Sequence, residues 1–425
     1  MTRHSVPKRS TLTSLTGAAL LLAATPAAAQ EPAEAGEAQT PKGVVVTAKP
    51  GKGVVFEQEG DYRLRLRGRF QVLETLSEAD GDLSTDLYIR RARLAMDGYV
   101  WDEDITYKME LAFAPRDLDE TGSPVLDAYL ELQQLRDLQL RIGMYKIPFD
   151  RQRVISSGDL QLVDRSPLIA EMTLDRDIGF TLHSDDLFGN DGRFGYWLGF
   201  YGGDGRGRVE APAGFLYLAR AEYRPFGAFE DYVEADLDRS ADPRLALGAS
   251  IAWNQNAIRT NSNRGSAFRE EFSTLEGFEG FDYLHLEADA IFKWSGLSVL
   301  SQFIWRDERG DGAFTGEAGG ETVVVDPRNG WGWFVQAGQM IGPHWEIAAR
   351  YTEQHTLDGA SLDLRESLAE AGRELGGGVS WYLHGHQLKV QADYFRLWGT
   401  EVDGLDAIAF EDGANQVRLQ LQAAW

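Results

Sequence analysis

Four arginines recur at every second position in DYRLRLRGRFQV, residues 61–72: Arg63, Arg65, Arg67 and Arg69. Tyr62, Leu64, Leu66, Phe70 and Val72 fall on the other parity. In an extended strand the two sets face opposite ways, with same-face neighbours about 6.6 Å apart. A guanidinium keeps its charge at any working pH and offers paired N–H donors to an oxyanion. Such a row suits the passage of a small anion along weak sites in series. YIRRARLAMDGYV, residues 88–100, adds Arg91 and Arg93 on one parity. Arg90 breaks that parity, which predicts a β-bulge or a strand end. LQLRIGMYK, residues 138–146, sets Arg141 against Leu138, Leu140, Ile142 and Met144. The same arginines have a second use, which is pairing with carboxylates such as Glu110, Asp127 and Glu131 to brace a wall.

Other reactive residue types are less convincing as sites. His285, Glu287 and Asp289 share one face of an alternating segment. Their outer members would lie about 13 Å apart, too far for donors that sit about 2 Å from one metal. They read as a polar ladder. His384-Gly385-His386 is half a metal site at most and fits a tight turn. GGDGRG at 202–207 has phosphate-loop composition without the following GKS or GKT, so it reads as an external loop. His183 and His355 fall near strand ends, with no nearby G-x-S-x-G to supply a nucleophile. No enzyme, metal or cofactor is expected.

The whole chain narrows the environment. It has 425 residues, a net charge of −24 and no cysteine. The acidity argues against nucleic acid as a partner, and the missing cysteine excludes disulfides and thiolate chemistry. Residues 1–29 read as a secretory signal, with Arg3, Lys8 and Arg9 ahead of the apolar GAALLLAA and the small Ala27-Ala28-Ala29. Residues 30–53 read as an acidic flexible segment leading into the fold, and 54–425 as the folded domain. No later stretch is apolar for long enough to form a membrane helix. An exported chain of this kind that lives in a membrane must do so as a closed β-barrel.

The pattern agrees. About sixteen segments alternate with period two, among them ITYKMELAF, VLDAYLELQ, LHLEADAIFKW and the terminal VRLQLQAAW. Connections at 133–137, 294–296, 342–344 and 384–386 are short, whereas 254–280, 306–330, 352–373 and 398–415 are long and polar. That alternation is the rule for barrels with tight periplasmic turns and long external loops. Residues 224–244 depart from it, being long where a short turn is due. Trp294, Trp305, Trp333, Trp345, Trp381 and Trp425 sit near segment ends, where aromatic girdles lie. Arginine facing lipid at mid-membrane costs about 2–4 kcal/mol, so the arginine parity is expected to face a water-filled lumen.

LRGRFQV (66–72), YIRRARLAMDGYV (88–100), LRIGMYKIPF (140–149), RAEYRPFG (220–227), GVSWYLHGHQLKVQADY (378–394) and RLQLQAAW (418–425) together resemble the phosphate-selective porins of the O and P type. The resemblance runs from about residue 54 to the C-terminus. It implies an all-β, sixteen-stranded outer-membrane barrel of a Gram-negative bacterium, with a third loop folded inward. It also implies a homotrimer and a channel for small anions such as phosphate or polyphosphate, among outer-membrane lipid and lipopolysaccharide. Trp425 resembles the terminal aromatic read by the barrel-assembly machinery, where Phe is more usual. Residues 150–177 match the inward loop, so Arg151, Arg153, Arg165 and Arg176 become constriction residues. The same loop carries Asp150, Asp159, Asp164, Glu171, Asp175 and Asp177. Four arginines against six carboxylates leave a general or cation-preferring porin of the same fold as the alternative.

Overall fold

The computed structural model describes residues 43–118, 122–206, 214–267, 277–310, 312–318 and 321–425. The signal segment 1–29 and most of the lead-in lie outside the described residues. From Val45 onward the lead-in is not loose: Val45–Lys49 pairs antiparallel with Gly53–Gln58 in a hairpin. The second hairpin strand then pairs with Tyr62–Leu66.

Sixteen antiparallel strands among the described residues, from Tyr62–Ala79 to Ala414–Ala424, close into a barrel. Closure is direct, because the last strand pairs with the first from Asn415↔Glu78 to Ala424↔Arg69. Gly68 and Trp425 extend that seam by exchanging backbone bonds of 3.0 and 2.9 Å. With no free edge left at the seam, every backbone group there has a partner without water.

Period-two alternation decides the faces. Leu130, Ile142, Ile251, Leu286, Ile347 and Leu419 point outward and are exposed, as a lipid-facing band requires. Their neighbours of opposite parity, such as Glu131, His285, Glu287, Asp289 and Gln420, are buried inside. Trp345 and Trp381 stack 5.5 Å apart at the short-turn rim, and Trp425 lies on the same rim beside Phe70. The bulge expected at Arg90 is present. Gln71 pairs with Arg91 and Val72 with Ile89, leaving Arg90 as the extra residue.

The lumen is not empty. The connection after the fifth strand (Gln139–Lys146) runs from 147 to 175 and crosses to the opposite wall. Val163 N–H donates to Asp393 at 3.0 Å, and Lys389 donates to Leu160 O at 2.7 Å. Ile155, Leu160, Leu168, Ile169 and Met172 of this loop bury themselves against inward-facing Ile291, Leu300, Ile304 and Phe334. That side of the barrel holds a packed apolar core rather than water. The long turn 224–243 lies beneath it, against the same loop.

Candidate functional site

The inward loop and the long turn fill the side of the lumen next to the later strands. Open space remains in three chambers that share their walls, the upper two mainly along the first six strands and the lower one reaching across to the long turn and the last strand. The chamber toward the long loops, about 330 Å³, is lined by fourteen residues, of which ten are Arg or Lys and two are Asp. The middle chamber, about 180 Å³, shares Arg93, Lys146, Ser157 and Arg176 with it. The chamber at the short-turn rim, about 790 Å³, shares Arg69, Arg93, Lys108, Glu110 and Ser156 with the middle one. These adjoining chambers outline a cationic path beside Ser156 and Ser157.

The arginines expected from the sequence divide by partner. Arg63 lies 3.8 Å from Glu57 of the hairpin. Arg65 and Arg67 converge on one carboxylate, Asp97, with Nε contacts of 2.8 and 3.1 Å. Arg93 makes a two-pronged bond to Asp117, both contacts 2.9 Å, and a third to Glu110 at 3.1 Å. Arg141 pairs with Glu131 and lies over the rings of Tyr129 and Tyr145. Arg91 donates to Gln71 at 2.8 Å and shares Asp164 with Arg90. Arg153 pairs with Asp175, and Arg176 with Asp127 at 2.7 Å.

Arg151 points away from the path. Its side chain is 0 % exposed and pairs with Glu222, Asp231 and Asp289 in the filled side of the barrel. Asp289 and Glu287 also receive Arg220, so these two members of the ladder serve as the counter-charge of buried arginines, while His285 meets the Ser262 hydroxyl.

Arg69 and Arg165 are different. Arg69 donates to the hydroxyls of Ser156 and Ser157, both at 3.0 Å. Arg165 donates to the carbonyls of Gln152 and Ile155. Neither has an ion pair among the described residues, and burial together with Arg153 pushes the Arg165 pKa down to about 9. A guanidinium still carries its charge at neutral pH there, and an anion in the path relieves the desolvation that burial imposes. Each serine hydroxyl that accepts from Arg69 keeps its own proton to donate.

The inward loop's carboxylates do not face the path as free charge. Asp164 is held well below the usual carboxylate range by Arg90 and Arg91, which outweigh its burial. Arg153 and Arg176 do the same for Asp175, and Arg306 and Arg328 for Glu171. Asp150 caps the short helix Arg151–Val154, accepting from Arg153 N–H at 2.7 Å. Asp177 accepts from Gly203 and Gly205 N–H at 3.0 and 3.2 Å. Both glycines have the positive φ that this loop geometry requires, +89° and +74°. Residues 202–206 thus wrap a carboxylate and deliver Arg206 to the upper chamber. Of the inward loop's carboxylates, Asp159 alone lines the path without a partner for its carboxylate among the described residues, and it does so in the lower chamber, where Glu230 and Asp238 of the turn at 224–243 also lie.

Lys146, Arg264 and Lys108 are among the lining cations that sequence reasoning did not single out. Lys146 donates to the carbonyls of Arg153, Val154 and Ile155 at 2.8, 3.1 and 3.2 Å and has no ion pair among the described residues. It is the last residue of its strand, where alternation stops constraining the side chain. Arg264 donates to the carbonyls of Ile169 and Ala170 from a loop with no periodic signal. Lys108 bridges Glu110 and Asp127 at 3.0 and 2.6 Å; its parity with Glu110 was visible and marked it as a lumen residue.

Comparison with known proteins fits this architecture. The family profile of phosphate-selective porin O and P matches residues 61–291. Among solved structures, the fold is similar to Salmonella typhi OmpF, solved with daunomycin (TM-score 0.56, 13 % identity, covering 87 % of this chain and 100 % of that one). It is also similar to the DcaP channel of Acinetobacter baumannii (TM-score 0.52, 14 % identity, 88 % and 100 %). The anion-selective porin from Comamonas acidovorans is a third (TM-score 0.50, 12 % identity, 85 % and 99 %). No curated protein sequence matches the chain. The barrel is an outer-membrane channel and not an enzyme. With more than half of its length matched, the chain belongs to the phosphate-selective porin O and P family.

Proposed function

We propose that the channel passes small anions in preference to cations and that phosphate-like oxyanions dwell at its narrow middle. The observation that carries this reading is the set of uncompensated cations on the path: Arg69, Lys146, Arg165 and Arg264 have no ion pair among the described residues. Asp164, Glu171 and Asp175 of the inward loop are meanwhile taken up by other arginines. The loop's net charge, read alone, favoured a general or cation-preferring porin; the pairing of three of its six carboxylates with arginine counts against that alternative. Purified protein in a planar bilayer under a KCl gradient is expected to give a reversal potential of anionic sign. Millimolar phosphate is expected to reduce the chloride current. A cation-signed potential would overturn the reading.

The same reading extends to a homotrimer. The second strand, Asp82–Val100, pairs with the third only up to Arg93. One further bond, from Phe113 N–H to Ala92 O, ends the seam. Above it the strand has no ladder partner on that side among the described residues. Leu83, Leu87 and Ile89 there are 74 %, 68 % and 53 % exposed. Lipid cannot satisfy an open strand edge, and Glu74 sits on the outward parity between Val72 and Leu76, where hydrocarbon is unfavourable for a carboxylate. A second copy covers both. Leu87→Lys is expected to shift the detergent-solubilised protein from trimer to monomer by light scattering, with the β-spectrum retained. A wild-type protein that is itself monomeric would remove this part of the reading. Removal of residues 1–29 on export belongs to the same proposal, and the mass of the mature protein, beginning at Gln30, checks it.

A further inference from the structure

The long turn 224–243 is the one connection that broke the short-turn rule, and its contacts explain why. It does not hang from the rim. It folds up into the lumen and is fastened on every side. Lys293 donates to Glu230 O at 2.7 Å and Ala235 O at 3.1 Å. The Asp236 carboxylate accepts from Gly296 N–H at 2.7 Å and from Ser240. Asp231 meets Arg151 and Arg224, both at 2.9 Å.

At its tip is Glu234, 1 % exposed. One carboxylate oxygen accepts from Gln152 Nε2 at 2.8 Å. The other accepts from Gln161 N–H and from Gln336 Nε2, each at 2.8 Å. Gln152 and Gln161 belong to the inward loop and stand on either side of Ser156, Ser157 and Gly158. Gln336 belongs to the wall. The Glu234 backbone N–H completes the junction by donating to Asp159 O at 3.2 Å. The other fastenings of the same stretch hold its carbonyls: Lys146 from one wall, and Gln71, Gln422 and Lys389 from others. Glu234 is the acidic side chain that gathers donors from both limbs of the loop, and it reaches them from the short-turn side.

We infer that Glu234 is a positioning residue for the narrowest part of the path, holding the two limbs of the inward loop together so that Ser156 and Ser157 stay against Arg69. The long turn is thus a buttress that sets selectivity without touching the permeating ion. This inference rests on the anion-channel reading only for the sign of the selectivity; the clamp itself is read from conductance.

The test uses the full-length protein in planar bilayers with three substitutions. Glu234→Met keeps the volume and removes every acceptor. Glu234→Ala removes both. Glu234→Gln keeps one acceptor oxygen. With the clamp lost, the buried Gln152 Nε2 and Gln161 N–H lose their acceptor, Gln336 keeps only Gln161 Oε1, and the loop slackens. Met and Ala are expected to raise single-channel conductance about twofold and to raise the phosphate concentration that halves the current about tenfold, with Gln between them and wild type. A filler role predicts a different order, with Met like wild type and only Ala altered. That order, or unchanged conductance and block in all three, would overturn the inference. Heat-modifiable mobility in SDS confirms a closed barrel for each variant. If Ala fails to fold, Met against Gln gives the same decision. A cation-signed wild-type potential would sink the anion reading alone, since the conductance order still reports on the clamp.

Discussion

Replacing Arg69 and Arg165 together by glutamate is expected to invert the channel's preference from anions to cations. The two side chains sit on the path, and neither is neutralised by a carboxylate among the described residues. Each substitution changes the local charge by two, so the eyelet loses four charges in a low-dielectric constriction, where charge acts most strongly. The anion-to-cation permeability ratio is expected to fall more than tenfold, read as a sign change of the reversal potential in a KCl gradient. The barrel should remain closed, because neither substitution takes a partner from an existing carboxylate. Arg65 and Arg67 provide the control. They already share Asp97, so the same exchange there adds negative charge to a site that is partly neutral and lies near the wide rim. A smaller shift is expected. Equal shifts for the two pairs would place selectivity in the summed field of the lumen rather than at the eyelet.

The contrast between those pairs also marks how far the sequence could be read. Alternation alone put Arg63 to Arg69 on the lumen face, and the parity break alone located the bulge at Arg90. Both follow from the two-residue repeat of a strand. Whether a lumen arginine keeps its charge available depends on register, which alternation does not contain. Arg65 lies directly across from Asp97, whereas Arg69 lies across from Arg93. One row of four identical residues thus holds both a braced and an unbraced member. The inward loop misled for a related reason. Its sum of charges was legible, but the arginines that take up its carboxylates come from distant parts of the chain: Arg90 and Arg91 for Asp164, Arg306 and Arg328 for Glu171. The long turn was visible as an anomaly of length. Its inward course follows from buried contacts that no local pattern encodes.

Arg151 carries the second large effect, and it is one of stability. Its guanidinium is fully buried and meets Glu222 at 3.0 Å, Asp231 at 2.9 Å and Asp289. Arg220 and Arg224 between them share all three of these carboxylates, so the cluster is a closed network of both signs beneath the inward loop. Removing one partner from such a network leaves uncompensated charge in a dry site, a cost of about 3–5 kcal/mol. Arg151→Ala is therefore expected to lower markedly the temperature at which the barrel unfolds in SDS, while the reversal potential of the folded fraction keeps its anionic sign. Arg165→Ala should do the opposite, because it gives up two bonds to carbonyls and no ion pair. It should leave the unfolding temperature within a few degrees of wild type and reduce anion preference. Two arginines of one loop then separate cleanly into a charge that holds the loop against the wall and a charge that meets the ion. If Arg151→Ala changed selectivity and not stability, the filled side of the barrel would have to conduct, and the single path beside Ser156 and Ser157 would be wrong.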